Sequence, residues 1–476
     1  MLAAMIAVWT AVFARLVHLR HHRFGSSAFD MAIYDQETWL LSRLDGLFIS
    51  VRGLDFFGHH ANYGLFLLAP FYRLGAGPHF LNIVQVASLA AGAVPVYLLA
   101  RDRLGRSPSA AWMGVVLAGA YLAHPALGFM SWELFHPEVM AIAPLLFAYW
   151  LGTRPTKRWG LFAACVVYAV SWKEDVALAA VMLGVVLVVR GERRAGLVTA
   201  GASLGYFVVV TQVLFPALSG EAFYNQMFSD VGGSAIGIAW TLLVHPTEII
   251  GAFFSGEART YIWQMGLPFG FLPVFAPLAF APGAPQFVAN IISDVDFTRV
   301  IYYHYAALPL AAMTLATVEA VAWLSRHRQN PAPVQRFLVG LVAATSLTGA
   351  ALWGVSPIGS EYAAGWWPLD PNLRQEVMER AVSLPPDDAS VTATYQFVPH
   401  LSRRREVYDW PNPWIVANWG VRNESGPDPD TVDWLVLDRR LIGEDRQAAL
   451  LEGILDSGQF DVILDQADIV VAERVS

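Results

Sequence analysis

The chain has 476 residues, of which 55% are hydrophobic and only 15% are charged, which excludes an ordinary soluble protein. The formal net charge of -8 is unevenly distributed, because the residues from Ser356 onward include 21 acidic and 10 basic side chains, against 18 acidic and 21 basic before it. A slightly basic body joined to an acidic tail does not fit a nucleic-acid partner. The single cysteine, Cys165, lies in an apolar run, so no intramolecular disulfide can form.

Long apolar blocks separated by small charged islands predict a mainly α, polytopic helical membrane protein. A membrane helix needs about 20 apolar residues, or fewer where partner helices cover it. Met1 to Val17 has no positive n-region and no small-residue cleavage site, and is predicted to be a retained first span. About 11 transmembrane helices are predicted, at residues 1–17, 79–100, 109–124, 137–153, 159–172, 174–190, 196–216, 262–281, 284–298, 302–324 and 336–355.

Four islands of basic residues predict the orientation in the membrane. They lie in short loops, where the positive-inside rule applies best, and so are expected in the cytoplasm. The alternate segments, including a first loop at 18–62, are then extracytoplasmic. Arg15, Arg20 and Arg23 are exceptions on the outer side that anionic ligands would explain. The islands are Arg101, Arg103 and Arg106; Arg154, Lys157 and Arg158; Arg190, Arg193 and Arg194; and Arg326, Arg328 and Arg336.

The acidic tail predicts a separate extracytoplasmic domain at 356–476, following a transmembrane domain at 1–355. Helix candidates at 373–384 and 444–455 alternate with β-rich runs at 391–395, 434–437 and 461–464. This alternation predicts a small α/β domain. No glycine-rich phosphate loop follows these strands, so nothing indicates a nucleotide.

Carboxylates and imidazoles are concentrated in the first loop. Asp30 is a candidate helix cap or, in a functional interpretation, a general base that activates an acceptor hydroxyl. Asp35 or Glu37 could assist it or hold a metal. The adjacent His59 and His60 point in different directions, so an exposed loop pair is as good an interpretation as a binding role.

Two further polar groups are predicted on the same side of the membrane. Glu133 and His136 are three residues apart and share a face if their segment is helical; Glu-x-x-His can bind a metal, and a hydrogen-bonded pair at the membrane interface is the alternative. Lys173, Glu174 and Asp175 form either a solvated hairpin tip or, because the flanking spans are short, a partnered group near the membrane. In the second case Lys173 could neutralise a phosphate.

The last polar group lies at the head of a late span. Tyr302 and Tyr303 are typical of an interfacial aromatic belt. Arg299 and His304 are candidates to contact a lipid phosphate.

These stretches carry a resemblance to a known family. FDMAIYDQ, HPALGFMSWELFHPE, WKEDVALAAVMLG, YYHYAALPL and PHLSRRREVYDWP resemble the bacterial and archaeal membrane proteins grouped as domain of unknown function 2079, from about Phe29 to the end of the tail. The resemblance implies the glycosyltransferase C fold of protein mannosyltransferases and arabinosyltransferases, which take sugars from polyprenyl-phosphate donors and carry an essential Asp in the first outer loop. Asp30 matches that Asp, with Asp35 as the alternate. The Asp-Asp or Asp-Glu doublet of related enzymes is absent.

The leading hypothesis is a transferase that moves a sugar from a polyprenyl-phosphate donor to an envelope glycan, lipid or protein. Asp30 would deprotonate the acceptor, while Lys173, Arg299 or a divalent cation would stabilise the phosphate leaving group. The sequence identifies no certain cofactor, and a divalent cation is the one candidate. The alternatives are a transporter or flippase, and a non-enzymatic envelope scaffold. Against transport, the spans show no inverted repeat and their charges gather at the outer ends.

Overall fold

The computed structural model describes residues 1–105, 107–219, 223–326, 328–422, 426–443 and 445–475. Arg106 of the first basic island and Glu444, the predicted start of a helix, lie outside them. Bounds of the α-helices in chain order are α1 (Leu2–His22), α2 (Ile33–Arg43), α3 (Phe56–His59), α4 (Ala69–Arg73), α5 (Pro78–Ala91), α6 (Ala93–Leu104), α7 (Pro108–Ala123), α8 (Pro125–Trp132), α9 (Ile142–Thr153), α10 (Trp159–Val170), α11 (Val176–Val189), α12 (Arg193–Val209), α13 (Phe215–Ser219), α14 (Ala235–Val244), α15 (Pro246–Ala252), α16 (Gly256–Gly266), α17 (Pro277–Phe280), α18 (Ala284–Ile292), α19 (Ala307–Ser325), α20 (Ala332–Trp353), α21 (Ser360–Ala363), α22 (Gln375–Ser383), α23 (Val398–Leu401) and α24 (Asp445–Asp456). The strands are β1 (Phe48–Ile49), β2 (Leu54–Asp55), β3 (Val391–Ala393), β4 (Val407–Asp409), β5 (Trp434–Asp438), β6 (Phe460–Gln466) and β7 (Ile469–Arg474).

The fold is mainly helical, as predicted. Helices α7 and α8 are bent by 46° at the break between them and can together form a span, and α10 and α11 are shorter apolar helices. Within the described ranges, five further helical segments are long and apolar enough to cross a membrane: Leu2–His22, Pro78–Leu104, Arg193–Ser219, His304–Ser325 and Ala332–Trp353.

Two of the predicted spans, 262–281 and 284–298, are not continuous helices. Helix α16 ends at Gly266, and the chain continues through 3₁₀ turns at Leu267–Phe269 and Leu272–Phe275 before the short α17 and α18. Five prolines lie between 268 and 285. Proline removes a backbone N–H donor and clashes with the preceding turn, so an apolar run this rich in proline breaks into short pieces.

The chain divides into two compact units. The first comprises Met1–Leu16, Ile83–Val213 and Phe223–Trp367, and the second comprises Val17–Asn82, Leu214–Ala222 and Pro368–Ser476. The second unit therefore contains the whole first loop, 18–62, together with most of the C-terminal tail.

Helix α19 is the most buried span of the first unit, with 78% of its apolar window inside the protein. A helix that is apolar on all sides belongs in the centre of a bundle. Elsewhere in this unit, α11 and α12 approach closely at Gly184 and Gly196, where an added Cβ would lie within 2.6 Å of backbone atoms on the opposite helix. Small residues permit this approach between membrane helices.

An arginine cluster, defined as Arg103, Tyr149, Arg190 and Glu319, surrounds one carboxylate of α19. Arg103 Nε lies 3.0 Å and Arg190 Nη2 2.9 Å from Glu319 Oε1, which also accepts the Tyr149 hydroxyl at 3.0 Å. Because Arg103 and Arg190 come from two different basic islands, both islands lie at the same end of α19. This arrangement agrees with the positive-inside assignment of those loops.

The tail of the second unit contains a sheet of five described strands in the order β4-β3-β5-β7-β6. Strand β3 pairs in parallel with β4 and β5, whereas β7 is antiparallel to β5 and β6. With α22 and α24 this confirms a small α/β region. Sequence reasoning missed β4, which has only three residues, and β7, which follows β6 through Ala467 and Asp468, both with positive φ.

Candidate functional site

A histidine cluster, defined as Glu133, His136, Glu138, Lys173 and His304, forms within the first unit. It joins three of the predicted polar groups, although His304 is 171 residues from Glu133 along the chain. Sequence reasoning did not select Glu138. An ionisable residue at the start of a predicted span, 137–153, was the signal that would have identified it.

The backbone around Glu133 and His136 is not a continuous helix, so the two side chains do not share a helical face. Helix α8 ends before Glu133, Leu134 adopts a left-handed conformation with φ 79°, and His136 is extended. Gln85 fixes this break: its side chain accepts the His136 backbone N–H at 2.7 Å and donates to the carbonyls of Met130 and Leu134. The two side chains meet through this turn.

Both oxygens of Glu133 are directed at histidines. Oε1 lies 2.8 Å from Nδ1 of His304 and 3.6 Å from Nε2 of His136, while Oε2 accepts the backbone N–H of His304 at 2.5 Å. The two imidazole rings stack with centroids 4.1 Å apart and an interplanar angle of 21°. Glu133 thus holds both rings in one place.

Lys173 compensates the second carboxylate of the cluster. Its Nζ lies 2.5 Å from Glu138 Oε1, and His304 Nε2 lies 3.2 Å from the same oxygen. Burial acts to lower the pKa of Lys173, but the carboxylates of Glu138, Asp175 and Glu174 outweigh it and raise the pKa above its usual value. Lys173 and Glu174 are buried. The solvated-tip interpretation is therefore wrong for these two residues.

Asp30 lies in the second unit, in a strained turn just before α2. It belongs to the π-turn Ala28–Ala32, is half-buried, and has φ 69° and ψ -76°. A positive φ is uncommon for a residue other than glycine, and such strain clusters at active sites and ligand clamps. Helix α2 has Ala32 at its N-cap position, so the interpretation of Asp30 as the cap residue is wrong.

Asp35 joins the first loop to the tail within the second unit. It is 0% exposed, and its two oxygens accept hydrogen bonds from the Tyr72 hydroxyl at 2.5 Å and the Ser402 hydroxyl at 2.7 Å. Burial raises the pKa of Asp35 to about 6, although these two hydrogen bonds act in the opposite direction. Ser402 belongs to the PHLSRRREVYDWP motif and Asp35 to FDMAIYDQ, so two distant motifs meet at this carboxylate.

Glu37 is buried beside the two loop histidines. His59 Nδ1 lies 3.8 Å from its Oε1 and Asn62 Nδ2 donates to its Oε2 at 3.4 Å. Burial raises the pKa of Glu37 well above its usual value. His59 and His60 are themselves only 6% and 7% exposed, so the exposed-pair interpretation is wrong.

The guanidinium of Arg299, in the first unit, already interacts with residues close to it in the sequence. Its guanidinium donates to the carbonyls of Ile291 and Ser293 and pairs with Asp296. A phosphate contact by Arg299 would share the guanidinium with these partners.

The fold is similar to solved structures of ArnT from Cupriavidus metallidurans. The structure bound to undecaprenyl phosphate is 12% identical in sequence, with 100% of this chain and 98% of ArnT covered and a TM-score of 0.54. The apo structure is also 12% identical, covers 99% and 97% of the two chains and has a TM-score of 0.55. The archaeal oligosaccharyltransferase AglB from Archaeoglobus fulgidus, in complex with an inhibitory peptide and a dolichol-phosphate, is 12% identical over 92% of this chain and 69% of AglB, with a TM-score of 0.40.

The likeness to the two ArnT structures confirms the glycosyltransferase C fold predicted from the sequence. No curated protein sequence matches the chain at a significant level. The family model described as Predicted membrane protein (DUF2079) matches residues 20–471, nearly the whole chain. The chain is thus a membrane protein with a glycosyltransferase C fold, and it belongs to the DUF2079 family.

Proposed function

We propose that this protein is a membrane glycosyltransferase. It takes a sugar from a polyprenyl-phosphate donor and transfers it to an envelope glycan, lipid or protein on the extracytoplasmic face. The likeness to ArnT supports a transferase of this kind, because ArnT shares the fold along its whole length and binds undecaprenyl phosphate. The membrane spans supply the apolar surroundings that a polyprenyl chain needs.

The conformation of Asp30 is the observation that carries the proposal. A general base needs a carboxylate that a substrate hydroxyl can reach. Asp30 is half-buried on a strained turn of the first loop, whereas Asp35 is fully buried. Asp30 is therefore the base, and Asp35 positions the first loop on the tail.

In the reaction, Asp30 accepts the proton of an acceptor hydroxyl as that oxygen attacks the anomeric carbon of the donor sugar. The bond from the sugar to the polyprenyl phosphate breaks, and the phosphate leaves with the bonding electron pair. Direct displacement inverts the configuration at that carbon. The phosphate of the donor is itself the leaving group that activates the sugar, so no nucleotide takes part. The phosphate-binding roles of Lys173, His304 and Arg299 remain predictions.

The test is complementation of a deletion strain, with envelope glycans measured by mass spectrometry. Asp30→Asn keeps the shape of the side chain and removes the base, and loss of general-base catalysis costs about 10²- to 10⁴-fold. Asp55→Asn is the matched control, because Asp55 is an exposed carboxylate of the same loop. We expect the glycan product to be restored by wild type and by Asp55→Asn, and lost with Asp30→Asn.

Full restoration by Asp30→Asn would remove Asp30 from the mechanism and favour an envelope scaffold. A second measurement separates transfer from transport. Purified protein in liposomes that contain undecaprenyl-phosphate hexose, radiolabelled in the sugar, should release the label from the lipid when acceptor extract is added. Movement of intact labelled lipid between leaflets without cleavage would favour a flippase.

A further inference from the structure

Three ligand atoms of the histidine cluster converge on one point. Glu133, His136 and His304 each offer one ligand atom, and these three atoms lie within 4.8 Å of one another. Metal–ligand bonds to zinc are about 2.0–2.2 Å long in tetrahedral geometry, so its ligand atoms lie roughly 3.3–3.6 Å apart. The distances from Glu133 Oε1, 2.8 Å to His304 and 3.6 Å to His136, bracket that range. We propose that these three residues bind a divalent transition metal of the zinc class.

The outward-facing ring nitrogens are held as metal-ligating histidines require. A ligating histidine donates its other N–H to a carboxylate or carbonyl, which fixes the tautomer and turns the lone pair toward the ion. His304 Nε2 lies 3.2 Å from Glu138 Oε1, and His136 Nδ1 lies 3.3 Å from the Leu134 carbonyl. Both rings therefore present their remaining nitrogen to the ligand side.

The surrounding charges suit a cation at this point. Lys173 neutralises Glu138, so the Glu133 carboxylate supplies the negative charge that a bound ion would balance. The second oxygen of Glu138, Oε2, is a buried acceptor without a hydrogen-bond partner among the described residues.

The donor set selects the class of ion. Two imidazoles and one carboxylate match zinc and its neighbours, whereas calcium and magnesium prefer shells of oxygen. Three protein ligands leave a fourth position for water or a substrate oxygen.

A second Glu–His pair in the same unit provides a matched control. His245 and Glu248 are also three residues apart, with Nδ1 and Oε1 4.0 Å apart, but their side chains are 61% and 55% exposed. Among the described residues, Glu133, His136 and His304 form the one group of three potential metal ligands whose ligand atoms lie this close together. His245→Ala should therefore leave metal binding unchanged.

The experiment titrates the chelator-treated, detergent-purified full chain with Co²⁺. Its visible ligand-field absorption reports tetrahedral nitrogen and oxygen coordination without any assay of transfer activity. We expect one equivalent to bind to wild type and to His245→Ala, and no such band with His304→Ala or Glu133→Gln. Glu138→Gln retains all three ligands but alters the partner that His304 shares with Lys173, and it should weaken binding by about 10- to 100-fold.

Wild-type protein that gives no tetrahedral band would overturn the proposal, as would equal loss of the band in His245→Ala. The double variant Lys173→Met with Glu138→Gln keeps the test decisive if a ligand variant does not fold, because it retains all three ligands and removes both charges of the buried pair. The readout is metal coordination, so failure of this proposal leaves the proposed transferase activity standing, and the reverse also holds.

Discussion

The arginine cluster and the histidine cluster lie toward opposite ends of α19. The two clusters differ in the groups that compensate the charge of their carboxylates. In the arginine cluster one carboxylate, Glu319, is met by two guanidiniums and a tyrosine hydroxyl. In the histidine cluster two carboxylates share one ammonium and two imidazoles, whose charge depends on protonation or on a bound ion. By helix rise, Glu319 lies about 18 Å along the axis from the start of α19.

This difference separates a structural ion network from a site. Arginine is always charged, so the arginine cluster has a fixed charge and a fixed geometry. An imidazole nitrogen can ligate a metal ion, which a guanidinium cannot, so the histidine cluster can hold a cation that is not part of the chain. We infer that the first stabilises the fold and that the second binds a ligand.

The largest expected effect is on stability at the arginine cluster. Glu319→Ala leaves two partly buried guanidiniums without their carboxylate, and breaking a buried ion pair costs about 3–5 kcal/mol. The measurement is thermal unfolding in detergent. Glu192→Ala is the control, because its pair with Lys157 is partly exposed and pairs of that kind are worth about 1 kcal/mol or less. Equal losses in the two variants would contradict the distinction between buried and exposed pairs.

A smaller effect on stability is expected at the histidine cluster. Lys173→Met should cost roughly 3 kcal/mol, the low end of the range for a broken buried pair, because His304 still faces Glu138. The double variant Lys173→Met with Glu138→Gln removes both charges and should recover most of that loss in thermal unfolding. A double variant no more stable than Lys173→Met would show that packing, not charge balance, sets the cost.

The smallest expected effect on stability is at Asp35, a buried carboxylate of the second unit. Its oxygens accept hydrogen bonds from two hydroxyls and pair with no cation among the described residues, which gives a third way of accommodating a buried carboxylate. Its folded pKa of about 6 lies above the ordinary value of 3.8. Its stabilising contribution is therefore fully present below pH 3.8 and is lost as the pH rises through 6. At pH 8 that loss is roughly 3 kcal/mol of stability, which an uncharged amide at this position would avoid. The amide would form weaker hydrogen bonds with the two hydroxyls than the carboxylate does, which offsets about 1 kcal/mol of the gain.

At pH 8 the free energy of unfolding of Asp35→Asn should accordingly exceed that of wild type by about 2 kcal/mol, seen as a higher unfolding temperature. Near pH 4 this difference should disappear. Asp45→Asn is the control of opposite sign, because hydrogen bonding to Arg405 lowers the pKa of Asp45. A destabilised Asp35→Asn at pH 8 would mean that the ionised carboxylate is needed by its hydroxyl partners.

The sequence alone determined the features that depend on local pattern. Apolar blocks identify membrane helices because lipid exposure acts on each segment separately, and the alternation of strands and helices after residue 373 identifies the α/β region. Asp30, Glu133, His136, Lys173 and His304 were selected because charges beside a membrane are costly unless they are partnered.

Only the tertiary structure decided which of these groups meet. Glu133 and His304 are 171 residues apart, and Asp35 and Ser402 are 367 apart, so no periodicity connects them. The left-handed turn at Leu134 and the strained backbone of Asp30 are likewise held by packing that local propensity does not encode. Long-range contacts are selected by how the packed elements fit together, and a linear pattern carries no record of that fit.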